Sequence, residues 1–152
     1  MENFSSYFLP EHRVFLENIS YESLRGNGVM QKGKNLDCKE TIVAQLMSSP
    51  SEKVNPVGVR IIFNRRLAFQ PEELFELSVS FGVDLKFDPE KRDLVDWKSV
   101  NIAREFQTGF PILLASLNAR CTLLVAQITS AAGASPIIPL YRKNMPRTEF
   151  GG

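Results

Sequence analysis

One histidine, His12, and two cysteines, Cys38 and Cys121, stand among 152 residues. That scarcity removes most catalytic chemistry at once. A Ser-His-Asp or Cys-His site would have to use His12, which sits in Pro-Glu-His-Arg among solvated neighbours, and neither cysteine carries a nucleophile motif. Two cysteines are too few for a disulfide framework, and their separation matches no zinc spacing; a reducing cytoplasm is the expected compartment. The nine glycines build neither GxGxxG nor GxxxxGK[ST]. The carboxylate pairs Glu72-Glu73 and Asp93/Asp96 lie in loop-like or helix-start contexts and read as solubilising or capping groups. No metal or cofactor is expected, and an enzyme is the weakest class. Net charge is +1, from 18 basic and 17 acidic side chains. Such a balance offers no field to draw in nucleic acid or an anionic membrane. The opening MENFSSYFLPEH lacks a basic region followed by an apolar run, so no secretory signal is read there. The longest apolar stretch, residues 110–128, is interrupted by Asn118, Arg120 and Gln127, so no membrane span is expected.

What is present is an ordinary globular composition, 43% hydrophobic and 23% charged. The length suits one domain over residues 1–152 with a core of its own. Four segments read as strands. Residues 12–22 (HRVFLENISYE) put Arg13, Phe15, Glu17, Ile19 and Tyr21 on one face and Val14, Leu16, Asn18 and Ser20 on the other. Arg25-Gly26-Asn27-Gly28 then signals a loop. In residues 37–47, Ile42, Ala44 and Leu46 alternate with Lys39, Thr41, Val43 and Gln45. Residues 57–67 place Val57, Val59, Ile61 and Phe63 together. Residues 74–87 give the cleanest period of two: Phe75, Leu77, Val79, Phe81, Val83, Leu85 and Phe87 against a wet-looking Glu76, Ser78, Ser80, Gly82, Asp84 and Lys86. Four strands joined by short turns imply an antiparallel, meander-like sheet with one covered face.

The second half is helical. A short helix is expected over 94–106, a break at Gln107-Thr108-Gly109, and a long helix from Pro111, at a first-turn position, to a cap at Gly133. Phe110, Leu113, Leu114, Leu117, Cys121, Leu124, Val125 and Ile128 form one apolar stripe. Ile112, Ala115, Ala119, Leu123 and Ala126 form a second, richer in small residues. The 36 residues from 106 to 141 carry one charged side chain, Arg120. A helix on a lone sheet should show a charged outer face, so the second stripe is expected to meet another subunit. Two prolines forbid helix in Ser135-Pro136-Ile137-Ile138-Pro139-Leu140-Tyr141, which must run extended. Residues 10–142 are the expected ordered core, and residues 143–152 a frayed tail.

These motifs, in this order, resemble the SecB family of protein-export chaperones. Arg13-Val14-Phe15 with Glu17-Asn18-Ile19-Ser20-Tyr21-Glu22 resembles that family's first strand. Phe75-Glu76-Leu77-Ser78-Val79, Phe110-Pro111-Ile112-Leu113-Leu114 and Ser135-Pro136-Ile137-Ile138-Pro139-Leu140 extend the likeness over residues 10–142. The resemblance implies an α+β fold, a four-stranded antiparallel sheet followed by a broken long helix. It also implies a homotetramer, a dimer of dimers, that holds unfolded polypeptides in apolar grooves. Two departures accompany it. The acidic groups by which export members dock the motor SecA are reduced to Glu22 and Glu76, with Asn18 and Ser78 where carboxylates would stand, which weakens attraction to a basic partner. The family's last helix is largely missing after Tyr141. Both fit SecB-like chaperones of toxin–antitoxin–chaperone systems, which protect an antitoxin.

A holdase needs exposed apolar surface rather than a catalytic group. Val14, Leu16 and Ile62 lie on the minority apolar parity of their strands, and Ile138, Leu140 and Tyr141 lie on the extended segment. These six are the candidate client contacts; core or subunit interface is the competing reading for each. An oligomeric scaffold without chaperone activity shares the same fold expectation and is the alternative.

Overall fold

The computed structural model describes residues 3–23, 35–49, 56–70, 75–131 and 147–150. A 3-10 turn, Phe4–Tyr7, leads into β1 (Phe8–Ser23). β2 (Asn35–Met47), β3 (Gly58–Gln70) and β4 (Phe75–Phe87) follow. Two further 3-10 turns, Arg92–Leu94 and Trp97–Ser99, stand where the sequence suggests the start of a helix. The first true helix is α1 (Ile102–Gly109), and α2 (Pro111–Ala131) follows after a one-residue break. Asp96 and Asn101 account for the late start. Each caps a new turn by accepting a backbone N–H, from Lys98 and Arg104 respectively, the usual role of Asx residues at an N-terminus.

The four long strands are antiparallel, as expected, but they are not a meander. The sheet order is β1-β4-β3-β2-β5. β2, β3 and β4 pair in sequence, whereas β1 lies beside β4. This is Greek-key order: β1 and β2, consecutive in sequence, are separated in the sheet by β4 and β3. The fifth strand, β5 (Arg147–Phe150), pairs parallel to β2 within the segment read as a frayed tail.

The period-two faces of β2, β3 and β4 are as read. Ile42 and Ala44 on β2, Val59, Ile61, Phe63 and Leu67 on β3, and Leu77, Val79, Phe81, Val83, Leu85 and Phe87 on β4 are all buried. They share one sheet face because antiparallel partners such as Ile42, Phe63 and Phe81 project together. α2 covers this face over β4 and β3. It does so with Leu113, Leu117, Cys121, Val125 and Thr129, the sheet-facing members of the first helical stripe plus one threonine. Burying each such side chain contributes about 2 kcal/mol.

The opposite face of β4 is less wet than the alternation suggests. Ser80 and Gly82 are buried, and Glu76, Ser78 and Asp84 are half-buried. β4 is an inner strand, so its polar face is flanked on both sides. Asn64 Nδ2 donates to Ser78 Oγ and Ser80 Oγ at 2.8 and 2.7 Å, and the Arg60 guanidinium grips Asp84 through two bonds of 2.7 and 2.9 Å.

Candidate functional site

β1 is an edge strand, and its alternation does not run through. The register with β4 slips between Leu16 and Asn18. A bulge at Glu17 inserts one extra residue, so parity reverses there. Before it, Val14 and Leu16 oppose Val83 and Phe81; after it, Ile19 and Tyr21 oppose Val79 and Leu77. All four therefore point to the helix side of the sheet. The reading that set Val14 and Leu16 on the face opposite Ile19 and Tyr21, away from the core, is corrected by this bulge. Val14 packs against the core. Leu16 is 48% exposed, and Ile19 and Tyr21 are also exposed, because α2 lies over β4 and β3 rather than β1. Leu9, at the start of β1, is exposed as well. The result is an apolar ledge beside a strand whose outer main-chain edge faces no other strand among the described residues.

Ile62 occupies the other sheet face. It stands between Gly82 of β4 and Val43 of β2, and Phe15 of β1 completes the row across Gly82. The glycine is required by close approach: a Cβ there would lie 2.5 Å from Phe15 Cζ and 3.0 Å from Ile62 Cδ1. The Arg60 guanidinium covers the Phe15 ring at 4.9 Å, a cation–π contact. Half-buried in this row, Ile62 is less available than its parity alone suggests. Ile138, Leu140 and Tyr141 lie outside the described residues.

Glu22 and Glu76, the two acidic candidates, are brought directly opposite each other on β1 and β4. Glu22 is exposed; Glu76 Oε1 accepts from Arg66 Nη2 at 2.7 Å.

The second stripe of α2 faces away from the sheet. Ile112 is 86% and Leu123 62% exposed, Ala115 and Ala119 are exposed, and Ala126 is half-buried. α2 is also long and apolar enough, at mean hydropathy 1.5 over 18 residues, to cross a membrane by length and composition alone. Its middle is nonetheless tied to the sheet by polar groups. Arg65 of β3 donates to Thr122 Oγ1 at 2.7 Å and to Asn118 Oδ1.

Sequence reasoning missed an aromatic cluster at one end of the sheet. Phe4, Tyr7 and Phe8 from the N-terminal segment meet Trp97, with Phe87 and Phe110 beside them. The signal was the spacing of aromatics in residues 4–8, which precedes any strand alternation.

Among the described residues no group of three or more His, Cys, Asp or Glu side chains could hold a metal. The site offers exposed apolar surface along a strand whose outer side faces no other strand among the described residues.

No family model matches the chain, and no curated protein matches it. Among solved structures it is similar to a SecB-like chaperone of Mycobacterium tuberculosis in complex with a ChAD peptide from the HigA1 antitoxin. The TM-score is 0.54 and identity 11%, over 88% of this chain and 89% of that one. The chain therefore has a SecB-like fold, a four-stranded antiparallel sheet followed by a long helix.

Proposed function

We propose that this chain is a SecB-like holdase, which binds unfolded or aggregation-prone polypeptides without catalysis. The observation that carries the reading is the ledge of exposed apolar side chains, Leu16, Ile19 and Tyr21, along β1. Exposed apolar side chains along a strand that has no neighbour on its outer side among the described residues suit an extended segment, which adds strand hydrogen bonds and seats alternate side chains. Each 100 Å² of apolar surface so covered contributes about 2.5 kcal/mol before ordering costs. The likeness in fold to a chaperone holding an antitoxin peptide supports a client of that kind, with export substrates as the other client class. We place the protein in the cytoplasm as a homotetramer, with the bare stripe of α2 between subunits. Val14 flanks the ledge on the same face, whereas Ile62, on the other face, belongs to a separate contact; Ile138, Leu140 and Tyr141, outside the described residues, are the remaining candidate client contacts.

The test is suppression of aggregation of a thermally unfolded model protein. The parent is expected to suppress it. Leu16→Ser with Tyr21→Ser is expected to weaken suppression severalfold with little change in melting temperature, since exposed groups contribute little to folding. A parent that gives no protection returns the chain to the scaffold reading.

A further inference from the structure

The two helices differ in how their buried face is chosen. Hydrophobicity is strongly one-sided on α1, where Ile102, Ala103 and Phe106 are buried and Arg104 and Thr108 exposed. It is nearly even around α2. Leu113, Leu117, Cys121 and Val125 are buried on the sheet, yet Ile112 and Leu123 stand exposed on the outside. A helix apolar on all sides gains about as much by burying one face as another, so apolar burial alone does not decide which face meets the sheet.

Polar groups supply the missing preference. Arg65 of β3 is 2% exposed on the helix side of the sheet. Its guanidinium donates to Glu40 Oε1 on β2 at 3.0 Å, to Thr122 Oγ1 at 2.7 Å and to Asn118 Oδ1. Asn118 and Thr122 are four residues apart and so are neighbours on one face of α2. Turning the helix by one residue, about 100°, would bring Ala119 and Leu123 into their places. Neither side chain carries an acceptor, and a buried guanidinium would lose two of its three partners. That loss outweighs the modest net gain from the intact network.

We infer that Arg65, through Asn118 and Thr122, selects the orientation of α2 and thereby the stripe that the helix presents to a second copy of the chain. The inference rests on the proposed assembly and names a residue that determines its specificity: with the network made, Ala119 and Leu123 face outward. Desolvation of the guanidinium offsets most of what its bonds contribute, so the network adds little to the stability of the fold and acts by penalising other orientations of the helix.

Cys121 gauges the orientation, because it is fully buried while its face of α2 meets the sheet. The experiment uses the full chain with Cys38→Ser, which leaves Cys121 as the one thiol. In that background Arg65→Met, Glu40→Leu, Asn118→Leu and Thr122→Val together replace the network by apolar groups of similar size. The helical circular dichroism and the urea midpoint are expected to be no lower than in the Cys38→Ser reference, while Cys121 reacts with a thiol reagent about tenfold faster. A rate within threefold of the reference at an unchanged midpoint overturns the inference, since apolar packing then orients the helix. A lowered midpoint or a lost helical spectrum also overturns it and makes the network a support of the fold itself. A second variant leaves the core untouched: Ala119→Asn with Leu123→Thr offers Arg65 an equal pair of acceptors on the neighbouring face. It is expected to raise the Cys121 rate threefold or more, and an unchanged or slower rate overturns the inference. The two readings fail separately, because Cys121 lies against the chain's own sheet and reports α2 whether or not chains associate. If the parent sediments as one chain, the assembly reading fails and the orienting role of Arg65 stands on the thiol rates. If the parent assembles and the thiol rates do not change, the assembly stands and the orienting role fails.

Discussion

Arg65 and Glu40 face each other across β3 and β2 on the helix side of the sheet, and the arginine is only 2% exposed. Its Nε and Nη2 lie 3.0 and 2.9 Å from the same carboxylate oxygen. The remaining donors reach Thr122 and Asn118 on α2. A guanidinium in an apolar core is tolerable because its donors find three acceptor side chains, one on β2 and two on α2, and the network pins the helix to one position along the sheet.

Removing the arginine leaves Glu40, Asn118 and Thr122 without their buried partner. Arg65→Leu is expected to lower unfolding free energy by about 3 kcal/mol, and Arg65→Met with Glu40→Leu to recover much of the loss. Urea denaturation measures both; a single variant within 0.5 kcal/mol of the parent would refute the assignment.

Beside this network, burial pushes the Cys121 thiol up from 9.0 to about 12, against the lowering effect of Arg65. The native state favours the neutral thiol. Its contribution to stability is fully present below pH about 9, where the unfolded thiol is protonated too, and is lost as pH rises from there through 12. The parent should lose stability more steeply than Cys121→Val between pH 9 and 10.5 in urea titrations. Parallel slopes would remove the thiol from the account.

Two glycines predict different outcomes on substitution by alanine. At Gly82 the added Cβ meets the far end of the Phe15 ring, which can move; at Gly58 it meets the Leu85 carbonyl oxygen at 2.3 Å, which cannot. Gly58→Ala is expected to cost more, about 3 kcal/mol against 1 to 2 kcal/mol for Gly82→Ala. Phe15→Ala should relieve the second and not the first, read as a coupling energy in a double-mutant cycle.

How far these features were legible depends on where periodicity is interrupted. The faces of β2, β3 and β4 followed from alternation, and extending the β3 pattern from Phe63 puts Arg65 on the buried face. Nothing in local pattern announces its partners Asn118 and Thr122, more than 50 residues away in sequence. The bulge at Glu17 reverses parity without any composition signal, so Val14 and Leu16 were assigned the wrong face. Strand order is a matter of which edge the chain crosses to after β1, and hydrophobic alternation is blind to it. The aromatics at 4, 7 and 8 mark a cluster, but their spacing has no period that says which partners, Trp97 and Phe110, they meet.

The outer stripe of α2 sets a prediction about assembly. Ala119 is exposed in the single chain, so Ala119→Glu costs a monomer only tenths of a kcal/mol in helix propensity. Between closely packed helices the same charge is desolvated without a partner and destabilises the contact by several kcal/mol. Sedimentation at micromolar concentration should show the parent as a particle larger than one chain and Ala119→Glu as a smaller one. A parent sedimenting as a monomer would end the tetramer proposal.

Docking of SecA is expected to be weak, for a reason beyond the missing carboxylates. Of the two acidic candidates, Glu76 is already engaged by Arg66 at 2.7 Å, so the pair presents little net charge to a basic tail. Of the two candidates Glu22 alone remains unengaged by Arg66, and an exposed single charge contributes under about 1 kcal/mol to association at physiological salt. Arg66→Ser should free Glu76, put two carboxylates opposite each other, and raise affinity for a basic peptide at low salt. Asn18→Asp with Ser78→Glu should raise it further, since neighbouring negative charges steer a cation together. Titration calorimetry at 50 and 200 mM salt separates the cases. Tight, salt-sensitive binding by the parent itself would show that Arg66 yields its partner, and would return the chain to the export class.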